Sequence, residues 1–276
     1  MGSRPSDLSG QALGRSTLSA RDVYWRKLGQ GRRTALALHC TMAHSGAWRG
    51  VSEYLNDVLT IHALDMPGHG RSAPYDGVSC TGTLVSEAVL ERIQAPVDVI
   101  AHSFGAVVAL QLAVSHPKIV RSLTLYEPVF FALARGIDLG GFDAHEAMVS
   151  RIARAVRSGD HTAAARDFMK QWNDGTPWAA IPKQVRDGFA RRIPFVLGSQ
   201  NYVSLDTPGT LPRLGEITVP CAIMDGVESP PEITSICDGL AERIEGAVRV
   251  RVPGAGHMGA ISHPATVAQE VTRLIP

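Results

Sequence analysis

The sequence predicts an α/β fold: a mostly parallel, doubly wound sheet with helices on both faces and a helical insertion. Three observations predict it. Short apolar runs alternate with helix-period segments along most of the chain. Each run is rich in Val, Ile or Leu and nearly continuous, as in strands covered on both faces. The alternation breaks once, across residues 129–214, where helical patterns follow one another with no strand-like run between them.

The expected strands, in order, are residues 34–39, 58–64, 97–101, 120–126, 219–225 and 247–252. Helical patterns separate them at 47–56, 81–94 and 104–115, and follow the last two at 231–244 and 264–274. Strand–helix repetition of this kind builds a parallel sheet, because each crossover lays its helix against the sheet. Within the break, residues 144–158 and 162–172 are amphipathic, and 184–200 reads as a further helix. The expected organisation is therefore a core formed by 1–128 and 215–276, with 129–214 as a helical cap that shapes a pocket.

Composition narrows the function classes. The 276 residues are 45% hydrophobic and 19% charged, enough apolar material for one large core and too little charge for a disordered chain. The 27 basic and 26 acidic residues leave a net charge of +1, which makes no electrostatic case for nucleic acid or an anionic membrane. The four cysteines, Cys40, Cys80, Cys221 and Cys237, form no CxxC pair, so neither a zinc site nor a redox motif is expected. The first twenty residues contain no apolar core of a secretory signal, and no stretch reaches the length of a membrane helix. The expectation is a protein of the cytoplasm that acts on a small molecule, with no metal and no cofactor.

The strongest chemical signal is Ala101-His102-Ser103-Phe104-Gly105, between an expected strand and an expected helix. This is the G-x-S-x-G pattern with Ala in the first glycine position. On such a strand–turn–helix junction the serine is held in a strained conformation with its hydroxyl presented. A serine hydroxyl needs a base. Of the ten histidines, His257 fits best, because Pro253-Gly254-Ala255-Gly256-His257 follows the last expected strand. Sites in open α/β sheets form beyond the carboxyl ends of strands, where Ser103 also sits. His62 falls inside a strand, and His116, His145, His161 and His263 fall at helix ends or on helical faces.

The base needs an orienting carboxylate. Three candidates stand at strand ends between Ser103 and His257. Glu228, in Asp225-Gly226-Val227-Glu228-Ser229-Pro230, is preferred; Glu127, in Tyr126-Glu127-Pro128, and Asp225 are the alternatives. A developing oxyanion also needs two N–H donors. Phe104, at the start of the helix after the serine, supplies one. Thr41 or Met42, in the loop His39-Cys40-Thr41-Met42-Ala43, supplies the other, with Thr41 preferred.

Taken together, these segments resemble the α/β-hydrolase family over nearly the whole chain. His39-Cys40 is similar to the family's His-Gly ahead of the oxyanion loop, and Trp48 stands at the expected distance. Asp65-Met66-Pro67-Gly68-His69-Gly70-Arg71-Ser72 matches D-x-P-G-x-G-x-S, 101–105 matches the nucleophile elbow and Gly256-His257 the histidine loop. The resemblance implies the α/β-hydrolase type of sheet with a helical cap. It also implies a Ser–His–acid triad that includes Ser103 and His257, with Glu228 one residue short of the family's usual acid position. Cys40 replaces the usual Gly, and the family's usual acid position, three residues beyond Gly226, is occupied by Ser229. Some relatives carry the acid after the preceding strand, where Glu127 lies.

The expected activity is a serine hydrolase that cleaves a small ester, thioester or lactone through an acyl-enzyme. One alternative keeps the fold and cleaves carbon–carbon bonds; it would use a cap arginine such as Arg191 or Arg192 for a substrate carboxylate. The other is a ligand-binding member without turnover. Phe130, Phe131, Trp172, Trp178, Phe195 and Tyr202 lie in or beside the insertion; most are expected to hold the core together, and their number suits an apolar acyl or aromatic substrate.

Overall fold

The computed structural model describes residues 22–173 and 175–275. The reading of the first twenty residues lies outside them. Seven strands form one sheet: β1 (Trp25–Leu28), β2 (Arg33–Leu38), β3 (Leu59–Leu64), β4 (Val97–His102), β5 (Val120–Tyr126), β6 (Cys221–Gly226) and β7 (Val248–Val252). Their spatial order is β1-β3-β2-β4-β5-β6-β7. All neighbours are parallel except β1, which runs antiparallel to β3. The six expected strands are all present, shifted by at most two residues at either end. β1 was not expected. It is a four-residue edge strand carrying Arg26 and Lys27, and it has neither the length nor the apolar run that marks a buried strand.

Helices α1 (Arg49–Tyr54), α2 (Thr81–Arg92) and α3 (Phe104–Ser115) connect the first five strands. Six more lie between β5 and β6: α4 (Phe131–Ile137), α5 (Leu139–Arg157), α6 (His161–Trp172), α7 (Lys183–Arg192), α8 (Pro194–Gly198) and α9 (Gln200–Val203). α10 (Pro231–Arg243), α11 (Gly259–Ser262) and α12 (Pro264–Leu274) complete the chain. The expected helix at 184–200 is broken into α7, α8 and α9. Pro194 has no N–H to donate and its ring crowds the preceding turn, so α7 ends at Arg192. Asp138 and Asp160 cap α5 and α6 by accepting from Gly141 N at 3.0 Å and Ala163 N at 2.9 Å. Among the described residues no helix is long and apolar enough to cross a membrane.

Side chains on successive strand residues face opposite ways, and the two faces bury separate cores. Leu36, Leu38, Val99 and Leu125 pack with α2, α3 and α10, and this core continues into α4, α5 and α8 of the helical segment. Ala35, Ala37, Ile61 and Met224 pack with Trp48, α1 and α12 on the other face. Helix α3 is buried from Phe104 to Val114 except at half-buried Gln111, as expected of a helix apolar on nearly all sides.

Two ion-pair clusters lock the sheet. Near its floor, Asp98 on β4 accepts from Arg33 Nε at 2.6 Å, from Arg121 Nη2 at 3.0 Å and from Ser122 Oγ at 2.8 Å. Burial opposes the charge on Asp98, but these bonds hold its carboxyl below the usual carboxylate range. Asp225, the weakest of the three candidate acids, is a structural residue: it is fully buried and pairs with Arg249 at 2.8 Å and Thr234 Oγ1 at 2.8 Å.

Removing one partner of a buried ionic cluster strands the others. Asp98→Ala is therefore expected to lower the unfolding free energy in urea by about 3 kcal/mol. Asp167→Ala, which breaks the exposed pair with Arg151, is expected to cost under about 1 kcal/mol. Equal losses in the two variants would contradict this.

Candidate active site

Ser103 occupies the sharp turn between β4 and α3, with φ 57° and ψ −121°. A side chain rarely adopts that conformation, and it costs roughly 1–3 kcal/mol. Packing enforces it. Ser103 N donates to Tyr126 O at 2.9 Å, and α3 enters so close to β2 that a Cβ at Gly105 would sit 2.4 Å from Leu38 O. Ala101, in the first glycine position of the pattern, is fully buried and accommodated.

His257 Nε2 lies 3.1 Å from Ser103 Oγ, and its Nδ1 lies 2.7 Å from Glu127 Oε2. A carboxylate only accepts, so Nδ1 carries the proton and Nε2 offers its lone pair to the serine hydroxyl. Glu127 Oε1 accepts from Gly226 N at 2.8 Å and from Ser229 Oγ. All three side chains are buried.

The carboxylate that the structure joins to His257 is thus Glu127 and not Glu228. The strand order explains the difference. β5 lies directly between β4 and β6, so its end is next to the serine turn. Glu127, with φ 46°, turns off that end with its N–H held by Met224 O at 2.8 Å. Ser229 stands where the resemblance places the usual acid, and it donates to Glu127. Glu228 is exposed; its N–H bonds Ala255 O at 2.9 Å, and its side chain borders the cavity in front of Ser103.

The histidine loop is anchored from below. His102 Nε2 donates to His257 O at 2.8 Å, and Tyr126 Oη donates to Gly256 O at 2.9 Å. Gly226 is required beside it, because a Cβ there would lie 2.1 Å from Ala255 O. The sequence reading passed over His102 and Tyr126. Their signal was their position: His102 is the variable residue before the serine, and Tyr126 ends the adjacent strand.

Thr41 and Phe104 border Ser103 in one small cavity. Met42, the other candidate donor, has φ 73° and gives its N–H to His69 Nε2 at 3.2 Å; Ala43 N bonds Cys40 O at 3.2 Å. Outside regular helix and strand bonding, neither Thr41 N–H nor Phe104 N–H has a backbone acceptor among the described residues. The loop is braced by His39, whose Nε2 accepts from Met66 N at 3.0 Å, and by Asp65, which accepts from Ser45 N at 2.6 Å and Arg71 N at 2.8 Å. The Asp65–Ser72 segment is therefore scaffolding for the loop. Burial pushes the Cys40 thiol up to about 12.

In front of Ser103 and His257 lies a cavity of about 620 Å³, walled by Met42, Phe168, Trp172, Phe189, Met258 and Ile261 among others. The Trp172 ring is 4.7 Å from that of His257. Phe130, Phe131, Phe195 and Tyr202 are buried in the main core, and Trp178 packs against its edge. Arg191 is exposed and Arg192 half-buried near the Phe189 ring; neither borders this cavity.

Burial holds four histidines neutral. It brings His39 down to about 4 and His145 down to about 4, and it lowers His69 and His102 well below the usual range. The unfolded chain protonates these rings near pH 6.5 while the folded protein refuses the proton. Their contribution is complete above pH 6.5 and is lost as pH falls below it, towards about 4 for His39 and His145. Each ring contributes up to about 1.4 kcal/mol per pH unit in that window. Urea unfolding at pH 7.5 and pH 5.0 is expected to show a loss of several kcal/mol on acidification, whereas equal stability would contradict it.

Comparison with known proteins agrees with this architecture. The chain superposes on the enol-lactonase from Burkholderia xenovorans LB400 with a TM-score of 0.69 and 18% identity, covering 92% of this chain and 96% of that one. A thermophilic esterase from Thermogutta terrifontis gives 0.68 at 18% identity over 91% and 92% of the two chains. MenH from S. aureus gives 0.70 at 17% identity over 91% and 99%. Likeness at this identity speaks to the fold. The profile of the alpha/beta hydrolase family matches residues 35–270, and the chain belongs to that family.

Proposed function

We propose that the protein is a serine hydrolase that cleaves a small-molecule ester, thioester or lactone through an acyl-enzyme. One observation carries this reading: the unbroken chain of hydrogen bonds from Ser103 Oγ through His257 to Glu127. His257 takes the serine proton as Oγ attacks the carbonyl, and Glu127 holds the imidazole tautomer and stabilises the imidazolium. Thr41 and Phe104 N–H groups receive the oxyanion, each contributing about 2.7–4 kcal/mol to the transition state. His257 then protonates the leaving group, and water releases the acyl group by the same path.

In this reading residues 129–214 act as a cap over the strand ends, and Phe168, Trp172 and Phe189 present the substrate with apolar surface. The names of two fold neighbours, an enol-lactonase and an esterase, favour acyl–oxygen cleavage.

Hydrolysis of p-nitrophenyl esters of rising chain length, with lactones and thioesters alongside, tests the proposal. Ser103→Ala is expected to abolish turnover with an unchanged melting temperature, and a fluorophosphonate is expected to label Ser103 in the parent protein. Glu127→Gln is expected to lower kcat about a thousandfold or more with KM little changed. Glu228→Gln is expected to stay within severalfold of the parent. Full activity in Ser103→Ala would sink the mechanism, and a larger loss for Glu228→Gln than for Glu127→Gln would reverse the acid assignment.

A further inference from the structure

A smaller chamber of about 30 Å³ shares Thr41, Ser103, Phe168 and Trp172 with the main cavity and adds His145 and Gln200 to its wall. It has room for about two water-sized groups. His145, on α5, is buried with its ring stacked on Phe131 at 3.7 Å and 10°.

The hydrogen bonds around Gln200 determine the form of that ring. Gln200 Nε2 donates to Val196 O at 2.9 Å, and a carbonyl can only accept. Gln200 Oε1 therefore faces the other way, where it accepts from Ser204 Oγ at 2.9 Å and meets His145 Nε2 at 3.2 Å. His145 must donate from Nε2, which leaves Nδ1 as a bare lone pair. That Nδ1 is buried with no hydrogen-bond partner, and so is the Nε1–H of Trp172. Burial keeps the ring neutral, so the lone pair persists at ordinary pH. Buried polar atoms are nearly always paired, and an unpaired one on a ligand cavity calls for an explanation. Here the two residues that carry these unpaired atoms, His145 and Trp172, both line a single chamber that Ser103 also lines.

We propose that this chamber is a recognition subsite for a hydroxyl group on a short acyl chain. His145 Nδ1 accepts from the hydroxyl, and Trp172 Nε1 supplies a donor for its oxygen. The chamber's size limits the acyl group to a hydroxyl within two or three atoms of the carbonyl. The assignment of this hydroxyl to the acyl side rests on the serine hydrolase reading above. It sharpens the expectation of an apolar acyl substrate: the outer cavity is apolar, but the part next to the serine is built for a polar group.

Calorimetric binding to full-length Ser103→Ala protein tests this without turnover. The ligands are methyl 3-hydroxybutyrate, as separate enantiomers, methyl butyrate and methyl 3-methoxybutyrate. One hydroxy enantiomer is expected to bind about tenfold or more tightly than either ester lacking the O–H. In Ser103→Ala/His145→Phe, which keeps an aromatic ring against Phe131, that gap is expected to close to within about twofold. Ser103→Ala/Trp172→Phe is expected to narrow it in part. Equal affinities for the three esters, no binding of any of them, or a gap that survives His145→Phe would each overturn the proposal. The ligand comparison stands even where a double variant fails to fold. Fluorophosphonate labelling of the parent separates the two readings. Labelling without hydroxyl preference removes only the subsite, and preference without labelling removes the hydrolase reading and leaves a binding site.

Discussion

The site depends on one backbone constraint, the left-handed turn at Ser103. A chain leaving a buried strand and entering a helix within one residue has few conformations available, and the one used here puts the side chain above the sheet's carboxyl edge. Three surrounding features hold it. Tyr126 O takes the serine N–H, Gly105 lets α3 pass against β2, and α3 is buried along nearly its whole length. The strain is thus sustained by the central packing of the molecule. The same placement sets Phe104 N–H at the first turn of α3, where no residue of the helix can accept it.

A second layer of order lies in the strand ends. β4, β5, β6 and β7 are consecutive in the sheet, so the serine, the carboxylate, two donors to that carboxylate and the histidine arrive from four neighbouring strands. Neutral histidines brace the loops around them. His102 ties the histidine loop to β4, and His39 and His69 tie the loop after β2 to the segment after β3. A neutral imidazole donates from one nitrogen and accepts at the other, so it can bridge two backbone segments with no charge to desolvate. These rings are rigid connectors and take no direct part in the proposed chemistry.

Much of this was legible in the sequence because the signals were local. Buried parallel strands advertise themselves as apolar runs, and the elbow and the histidine loop are short contiguous patterns at strand ends. The carboxylate was not legible because its identity depends on spatial order, and sequence order does not reveal it. Glu228 and Glu127 both follow a strand, and only the sheet places the end of β5 beside that of β4. Ser229 was a clue of another kind, a residue unable to serve as the acid in the acid's usual place, which here supports the carboxylate from next door. β1 escaped notice because a short, charged edge strand carries no periodic signal, and His145 because the tautomer of one ring is set by an amide 55 residues away.

The position of Glu127 has a mechanical consequence. It directly follows β5 and is separated from α4 by Pro128, Val129 and Phe130; the Pro128 ring fixes its own φ and offers no N–H. The carboxylate bonded to His257 is therefore also close to the root from which those helices grow. In a protein whose acid follows β6, helices inserted after β5 could be exchanged or re-angled without touching the acid. Here the residue that grips His257 stands only four positions before the start of α4. Chimeras that graft another helical segment onto this sheet must cut beyond Pro128.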